Sequence, residues 1–408
     1  MTEYLNRDIL SAVIEALGEM PVVVLTGMRQ TGKTTFLQTQ PEFHGRRYVT
    51  FDDFAQLEAA KRDPEGFVDT EDLLTIDEVQ RCPEILIAIK RAVDRKRVAG
   101  KYLLSGSANL SMLKNVSESL AGRAVYFVMH PLSRRELAGL TKQKPFIRQF
   151  FEARQLFGTE ALSRIVTEAV MMGGMPSVCI GEVKNRFLWF KGYEQTYLER
   201  DLREFGMVEN IISFRTLLHL SALRTGQLLN ISQLGRDAKL TAATAGRYLS
   251  LLEASFIGYR LNPYLGNQGS RLIKSSKLYL SDSGLAGYLS GLDKLDALSD
   301  KPQGGALFET YVAQNISSII DSGWHEARLF FWTLQGRHEV DFIIEVGRAC
   351  LAVEVKSGGR WSARDLSGLK AFLDITPHCT AAVLAYNGVE AVKLGEKLWA
   401  IPLNMLLS

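Results

Sequence analysis

Residues 22–35 read Val-Val-Val-Leu-Thr-Gly-Met-Arg-Gln-Thr-Gly-Lys-Thr-Thr. The first four are uniformly apolar, as in a parallel strand that is buried on both faces. Gly27 to Thr34 then match GxxxxGK[ST], the spacing of a phosphate-binding loop that leads from a strand into a helix. The stretch therefore predicts an α/β domain with a nucleotide site at this loop.

Each position in the loop has a physical role in holding phosphate. Gly27 and Gly32 let the backbone turn so that successive N–H groups point at the β-phosphate, where the helix N-terminus adds positive potential. Lys33 neutralises the β- and γ-phosphates, and the Thr34 hydroxyl can bind Mg²⁺. ATP and Mg²⁺ are the expected cofactors. The predicted nucleotide-binding residues of the loop are Gly27, Met28, Arg29, Gln30, Thr31, Gly32, Lys33, Thr34 and Thr35.

A second apolar run, 73–76, ends abruptly in two acids, Asp77 and Glu78. Ligands of open α/β sheets bind at the carboxyl ends of the strands, which places Asp77 where it can hold the Mg²⁺ shell. Glu78 is then the candidate to polarise the attacking water. These two acids are predicted to complete the nucleotide site.

Three further residues are candidates for contacts with the γ-phosphate. Ser107 and Asn109 follow the run 101–105, and either could sense the γ-phosphate, although a turn or N-cap role explains each of them equally well. Arg123 could reach the nucleotide of a neighbouring subunit as an arginine finger. The alternative is an ordinary surface arginine.

The pattern of the chain changes three times along its length. Up to about residue 130, short apolar runs alternate with amphipathic stretches, as in a parallel sheet covered by helices. Long helical stretches follow, and then two short helices, the second beginning at Thr241, precede two extended runs in the outline of a helix-turn-helix with a wing. The five runs predicted as strands of the first domain are 22–25, 48–51, 73–76, 102–104 and 124–128.

These changes predict four domains. Residues 1–130 form a P-loop core, 131–229 a helical lid or connector, 230–290 a winged-helix-like segment, and 291–408 a C-terminal α/β domain. The formal net charge of +3 requires any nucleic-acid site to be local. The first thirty residues lack the features of a signal peptide, and no apolar run is long enough to span a membrane. We therefore expect a cytoplasmic protein with no membrane partner.

A predicted hairpin near the C-terminus brings carboxylates together. Strands 339–346 and 349–356 alternate in polarity and are separated by a two-residue Gly-Arg turn. That turn puts Asp341 across from Glu354, with Lys356 on the same face. The opposite face is apolar and is predicted to be the core face.

Two opposed carboxylates about 5 Å apart repel each other unless a cation lies between them. A divalent metal is one solution, because Glu309, on the amphipathic segment 306–320, could complete an oxygen-rich Mg²⁺ site with Asp341 and Glu354. Lys356 would then orient or charge the attacking water. The other solution is a solvated sheet face balanced by Lys356 and nearby arginines, and the spacing leaves both open.

Several motifs resemble those of bacterial and archaeal AAA-type ATPases that carry a C-terminal domain of unknown function numbered 4143. They are Gly-Met-Arg-Gln-Thr-Gly-Lys-Thr, Ile-Asp-Glu-Val-Gln, Leu-Ser-Gly-Ser-Ala, Pro-Leu-Ser, Gly-Gly-Met-Pro and Tyr-Leu-Glu-Arg-Asp-Leu. The resemblance implies an AAA+ core, a winged-helix segment and a C-terminal domain similar to the PD-(D/E)xK restriction nucleases. Glu309, Asp341, Glu354 and Lys356 match the helix, first-strand and ExK positions of the nuclease pattern.

Three functions are compatible with these features. The first is an ATP-hydrolysing AAA+ motor or switch that works as a homo-oligomer, with Lys33, Glu78 and Arg123 as catalytic residues. The second is an ATP-regulated, metal-dependent nuclease. The third is a noncatalytic DNA-binding switch, in which basic residues of the winged helix contact phosphates. Those residues are Arg236, Lys239 and Arg247.

Overall fold

The computed structural model describes residues 4–107, 120–157, 163–196, 208, 210–266, 271, 275–292, 302–334 and 336–408. The chain divides into two compact units. The first contains Met1–His130 with Ala254–Phe256 and Asp321–Gly323, and the second contains the remainder. In the described ranges, no helix is both long and apolar enough to cross a membrane.

The first unit is built on a parallel sheet of five strands in the order β2-β3-β4-β1-β5. Each strand lies within one residue of a run predicted from the sequence, so this part of the prediction is confirmed. The strands are β1 Val22–Thr26, β2 Arg47–Thr50, β3 Leu74–Asp77, β4 Tyr102–Ser105 and β5 Ala124–Val128. The helices are α1 Leu10–Glu19, α2 Lys33–Thr39, α3 Phe54–Arg62, α4 Pro64–Val68 and α5 Glu84–Arg95, with 3₁₀ turns at Pro41–Phe43 and Val79–Arg81.

Both faces of this sheet are buried, which explains why β1 is apolar throughout. Val22 and Val24 pack in one core with residues of α5, such as Ile85. Val23 and Leu25 point the other way and pack in a second core with residues of α1 and α2. Alternate residues of β1 thus pack in two different hydrophobic cores.

The second unit begins with helices and contains a small sheet with the order β6-β8-β7. Two short helices lie close to the predicted positions, and the Thr241 hydroxyl caps the second by accepting a hydrogen bond from the Thr244 N–H at 3.1 Å. The elements are α6 Arg134–Leu137, α7 Phe146–Ala153, α8 Thr167–Met172, α9 Pro176–Cys179, α10 Arg186–Thr196, α11 Ile211–Leu223, β6 Gln227–Leu228, α12 Ile231–Asp237, α13 Ala242–Ala254, β7 Gly258–Leu261, β8 Lys277–Leu280 and α14 Ser283–Leu289.

A six-stranded mixed sheet in the order β13-β14-β12-β11-β10-β9 forms the rest of this unit. The predicted hairpin is its β10–β11 pair, and the register from Phe342↔Val353 to Val346↔Ala349 is the one predicted. The elements are α15 Pro302–Gly323, β9 Ala327–Leu334, β10 His338–Val346, β11 Ala349–Lys356, a 3₁₀ turn at Ala363–Leu366, α16 Ser367–Ile375, β12 Cys379–Tyr386, β13 Val392–Lys393, β14 Leu398–Pro402 and α17 Leu403–Leu406.

Candidate nucleotide site and C-terminal acid cluster

The predicted phosphate-binding loop joins the carboxyl end of β1 to α2, which begins at Lys33. Gly27 and Gly32 have φ angles of 142° and 93°, in the region that favours glycine. A Cβ atom on Gly27 would collide with the carbonyl oxygen of Met129. The loop therefore has its tight backbone path because two glycines permit it.

The lysine of the loop is folded inward. Its ammonium donates hydrogen bonds to the carbonyl oxygens of Gly27 at 2.9 Å and Met28 at 2.8 Å, and the residue is only 6% exposed. Behind the loop, the buried Arg7 donates to the carbonyl oxygens of Thr31 at 2.8 Å and His130 at 2.5 Å. Arg7 braces the loop, and no spacing rule in the sequence points to it.

The remaining residues of the loop divide between its inside and its surface. Met28 and Thr31 are buried, and the Thr31 hydroxyl donates to the Met28 carbonyl oxygen at 2.9 Å. Gln30 is exposed and has a left-handed φ of 61°, Arg29 is half-buried, and Thr35 is exposed on α2. The buried members hold the loop's shape, while the exposed ones are accessible to a ligand.

Asp77, at the end of β3, is 1% exposed and is surrounded by neutral hydrogen-bond donors. Its Oδ2 accepts from the Thr34 hydroxyl at 2.6 Å and from the Tyr48 hydroxyl at 3.0 Å, and its Oδ1 accepts from the Glu78 N–H at 3.0 Å. Burial, and then the Asp77 charge, raise the pKa of the Tyr48 hydroxyl above its ordinary value, so Tyr48 stays a donor. Tyr48, on the outer strand β2, was not predicted to be a site residue.

Glu78 follows directly and has a left-handed backbone, with φ 56°. Its Oε2 accepts a short hydrogen bond from the Gln80 amide and a longer one from the Ser107 hydroxyl at 3.4 Å. The same amide donates to Ser107 Oγ at 3.1 Å. Gln80 was also missed, although it is the last residue of the Ile-Asp-Glu-Val-Gln motif. Of the two sensor candidates, Ser107 reaches Glu78, and Asn109 lies outside the described residues.

Arg123 is not brought to the nucleotide site of its own chain. It precedes β5, at the amino ends of the parallel strands, whereas the loop lies at their carboxyl ends. Its guanidinium donates to Asp94 at 2.5 Å and to the Ala121 carbonyl oxygen at 2.9 Å. Its predicted role toward a neighbouring subunit stays a prediction.

The predicted acid cluster of the hairpin is buried in part, because Asp341 is buried whereas the Glu339 side chain is 51% exposed. Asp341 is 9% exposed, and Ile343 and Ala352 of the same two strands are fully buried. Helix α16 covers them, because its Leu369 and Phe372 belong to the same core. The sequence pattern had assigned only one face of the hairpin to the core.

The cation in this cluster is Lys277, on β8, and it too was not predicted. Its ammonium lies 3.0 Å from Glu309 Oε1, 2.5 Å from Glu339 Oε1 and 3.9 Å from Asp341 Oδ1, and its side chain is 4% exposed. The hydroxyl of Tyr279, two residues along β8, also donates to Glu309 Oε1. In the described part of the chain, the ion pairs of Glu309, Glu339 and Asp341 are made with Lys277 and not with the nearby arginines that were expected.

The four residues predicted for the nuclease-like site do lie together. Lys356 contacts Glu354 Oε1 at 2.9 Å, and Asp341 Oδ2 accepts from the Val355 N–H at 2.8 Å. Burial, followed by the charges of Glu309 and Glu354, raises the pKa of Asp341 well above its ordinary value. Burial also raises the pKa of Glu354. Asp341 and Glu354 are thus acids that are largely removed from water.

A divalent metal does not fit these residues in the arrangement that the structure shows. Within the described ranges, no group of three or more His, Cys, Asp or Glu side chains is placed to hold a metal ion. The Lys277 ammonium lies where Glu309 and Asp341 would converge on one. Thr34 and Asp77 differ, because their two oxygens meet with no ammonium between them.

Three family models match the chain. Residues 19–138 match an AAA domain, residues 163–296 match a domain of unknown function numbered 8612, and residues 304–406 match the domain of unknown function numbered 4143. The resemblance expected from the motifs is therefore confirmed for the first and last of these segments. Of the motifs quoted for it, Tyr-Leu-Glu-Arg-Asp-Leu (197–202) lies outside the described residues.

The chain is also similar to whole proteins. An uncharacterized protein of Mycobacterium tuberculosis is 29% identical over 99% of this chain and 85% of its own length. An uncharacterized protein of Haemophilus influenzae is 20% identical over 66% and 69%. Among solved structures, a Walker-type ATPase of Pyrococcus abyssi superposes with a TM-score of 0.43 at 14% identity, covering 70% of this chain and 96% of that one. The chain thus has a segment similar to AAA domains, which includes the predicted phosphate-binding loop, and a later segment similar to the domain of unknown function numbered 4143.

Proposed function

We propose that this chain hydrolyses ATP with Mg²⁺ at the loop between β1 and α2. The observation that carries the proposal is the 2.6 Å contact between the Thr34 hydroxyl and the Asp77 carboxylate at the carboxyl end of the sheet. A hydroxyl and a carboxylate oxygen are ligands that Mg²⁺ prefers, so these two residues would hold it. The bound ion would supply charge neutralisation for the phosphates.

The residues of the chain then have separate tasks. Lys33 would leave the carbonyl oxygens of Gly27 and Met28 for the β- and γ-phosphates, which are stronger acceptors for an ammonium. Glu78 would orient the attacking water and take its proton. Gln80 and Ser107 would hold the Glu78 carboxylate in position through their contacts with Oε2.

Phosphate release and nucleotide binding, measured on the same variants, test this proposal. Lys33→Ala should lose both turnover and affinity for a fluorescent ATP analogue. Glu78→Gln should lose turnover and keep affinity, because its role lies in the chemical step. Lys101→Ala is the control: this lysine also donates to backbone carbonyl oxygens, those of Thr70 and Asp72, but takes no part in the loop. Unchanged phosphate release in both Lys33→Ala and Glu78→Gln would refute the assignment.

We further propose that the active form is a homo-oligomer in which Arg123 acts on a neighbour's nucleotide. Support comes from its position at the amino ends of the parallel strands, away from the loop of its own chain. Arg123→Ala should lower turnover and make it independent of protein concentration. Asp94→Ala, which removes the partner of this arginine and keeps the arginine itself, should retain activity.

A metal-dependent nuclease is the second candidate. The convergence of Glu309, Asp341, Glu354 and Lys356 favours it, and the presence of Lys277 among the acids weighs against it. Incubation with DNA and with RNA, in Mg²⁺ or Mn²⁺ and with or without ATP, is the test. Cutting that disappears in Asp341→Asn would support the candidate, and no cutting under any condition would count against it.

A DNA-binding switch is the remaining candidate. The helices α12 and α13 and the strands β7 and β8 have the predicted order, and basic residues are present on these helices or between them. Affinity for duplex DNA should then fall steeply with salt, because phosphate contacts release counterions. Absence of binding at low ionic strength would exclude this use.

A further inference from the structure

The acids of the C-terminal cluster have a cation of their own. We propose that Lys277 takes the place of a divalent metal among Glu309, Glu339 and Asp341, and that the cluster binds divalent cations only when this lysine is removed. The proposal does not depend on ATP hydrolysis, since it concerns the second unit alone. In a protein whose acids form a metal site without such a lysine, the unmodified cluster would bind the ion.

The contacts of Lys277 are those that a metal would otherwise make. Its ammonium is within 3.0 Å of both Glu309 and Glu339 and approaches Asp341 at 3.9 Å. The Lys277 side chain is only 4% exposed, so water cannot take the place of these carboxylate oxygens around its ammonium. Glu309 and Asp341, which are mostly buried, in turn have this internal cation beside them and do not need an external one.

The fold fixes Lys277 in this position. Residues alternate along a strand, so Lys277 and Tyr279 project from the same side of β8, and both contact Glu309 Oε1. β8 is the central strand of its sheet, paired on one side with β6 and on the other with β7. On α15, the Thr310 hydroxyl next to Glu309 is hydrogen-bonded to the Thr225 hydroxyl at 2.8 Å. The lysine and the glutamate are therefore both attached to fixed backbone.

A metal and this ammonium exclude each other for an electrostatic reason. A divalent ion between Glu309 and Asp341 would lie within a few ångströms of the ammonium, and like charges repel strongly at low dielectric. Lys356 cannot replace Lys277, because its ammonium contacts Glu354, on the adjacent strand. Removal of Lys277 leaves Glu309 and Glu339 without the ammonium that contacts them, and carboxylates in that condition can take up a divalent ion.

The test is Mn²⁺ binding, followed by the electron paramagnetic resonance signal of free Mn²⁺, on the full chain without nucleotide. All proteins carry Asp77→Asn, which removes the other carboxylate proposed to bind metal. The series is this background alone, the background with Lys277→Met, and the background with Lys277→Met and Glu309→Gln. Lys277→Arg is the matched control, because it keeps the positive charge.

We expect no saturable Mn²⁺ binding in the background or in Lys277→Arg up to about 1 mM. Lys277→Met should bind Mn²⁺ at least about tenfold more tightly, and its melting temperature should rise with Mn²⁺ by several degrees, because a ligand specific for the folded state stabilises it. Adding Glu309→Gln should abolish both effects. Metal binding by Lys277→Met that equals the background would overturn the proposal.

The background protein gives a result even if Lys277→Met does not fold. The proposal requires that Mn²⁺ binding be absent there and remain absent after Glu309→Gln. Saturable Mn²⁺ binding that is present with Lys277 in place and disappears with Glu309→Gln would overturn the proposal, while leaving the nuclease candidate intact. Absence of binding would support it, and would count against the nuclease candidate.

Discussion

Asp77 and Asp341 are both almost fully buried carboxylates, but their partners differ in charge. Asp77 accepts hydrogen bonds from the hydroxyls of Thr34 and Tyr48, which are neutral. Asp341 has the ammonium of Lys277 nearby. The first aspartate is thus held by neutral donors, whereas the second lies in a cluster that contains an ammonium.

This difference shows that a list of acidic residues does not define a metal site. Neutral donors satisfy the lone pairs of a carboxylate and leave its charge for an incoming cation. An ammonium satisfies both the lone pairs and the charge. A sequence motif contains the acidic residues but not the residue that pairs with them, and that residue decides between the two cases. Substitutions of the pairing residues and of the acids therefore test the comparison.

The largest expected effect comes from removing the ammonium. Lys277→Met should lower the free energy of unfolding by about 3–5 kcal/mol, the usual cost of leaving a buried charge without its partner. Thermal and urea unfolding of the full chain in metal-free buffer would measure it. Lys144→Met is the control, because Lys144 pairs with Glu152 on the surface of the same unit and should contribute less than about 1 kcal/mol. Equal losses in the two variants would contradict our interpretation of Lys277.

The next effect concerns the charge of the two aspartates. Asp77→Asn should reduce ATP turnover by about 10²–10³-fold, roughly 3–4 kcal/mol of transition-state stabilisation, because an amide is a poor ligand for Mg²⁺. Asp341→Asn keeps an acceptor for the Val355 N–H and should leave turnover within about twofold. Steady-state phosphate release at saturating Mg²⁺ and ATP gives both values. A similar loss in the two variants would remove the distinction between the sites.

The strands and loop of the candidate nucleotide site could be predicted from the sequence because these parts are local or periodic. Buried parallel strands are continuous apolar runs, and the loop has fixed glycine spacing, so the positions of β1 and β3 followed directly. The hairpin register followed from its two-residue turn. In each case the physical constraint acts between residues that are close in the sequence.

The partners could not be predicted, because they meet only in the folded chain. Lys277 lies on β8, far in sequence from Asp341, and reads simply as one polar residue in a short strand. Tyr48 comes from an outer strand, and a tyrosine there is common for packing reasons alone. The burial of both hairpin faces was missed as well, because it depends on where α16 packs.

A third buried carboxylate, Asp282, extends the comparison, since backbone N–H groups donate to both of its oxygens. Its Oδ2 accepts from Gly174 at 2.7 Å and its Oδ1 from Leu285 at 2.8 Å, and burial raises its pKa to about 6 from 3.8. The folded state therefore holds this proton more tightly than the unfolded state. Stability from this group is complete below pH 3.8 and is lost as the pH rises through 6, by on the order of 2–3 kcal/mol.

Asp282→Asn should remove this pH dependence, because an amide does not ionise. Urea unfolding between pH 4 and pH 7 would show a slope in the wild type that is smaller in the variant. At pH 4 the variant should be the less stable protein, since its NH₂ group faces one of the two N–H donors, of Gly174 or Leu285. An unchanged slope would show that this carboxyl does not titrate in that range.

The smallest expected effect comes from removing one neutral donor of Asp77. Tyr48→Phe loses the 3.0 Å hydrogen bond to Oδ2 and keeps the ring, so it should weaken the orientation of the carboxylate by about 1 kcal/mol. We expect a rise of about three- to fivefold in the KM for Mg-ATP, with kcat changed less. Tyr102→Phe is the matched control: its hydroxyl donates to the Val68 carbonyl oxygen in the same unit, away from Asp77. Both variants should lose similar stability, and only Tyr48→Phe should change the KM. If both changed it equally, the effect would come from general loosening of the sheet, and Tyr48 would have no specific part in holding the Asp77 carboxylate.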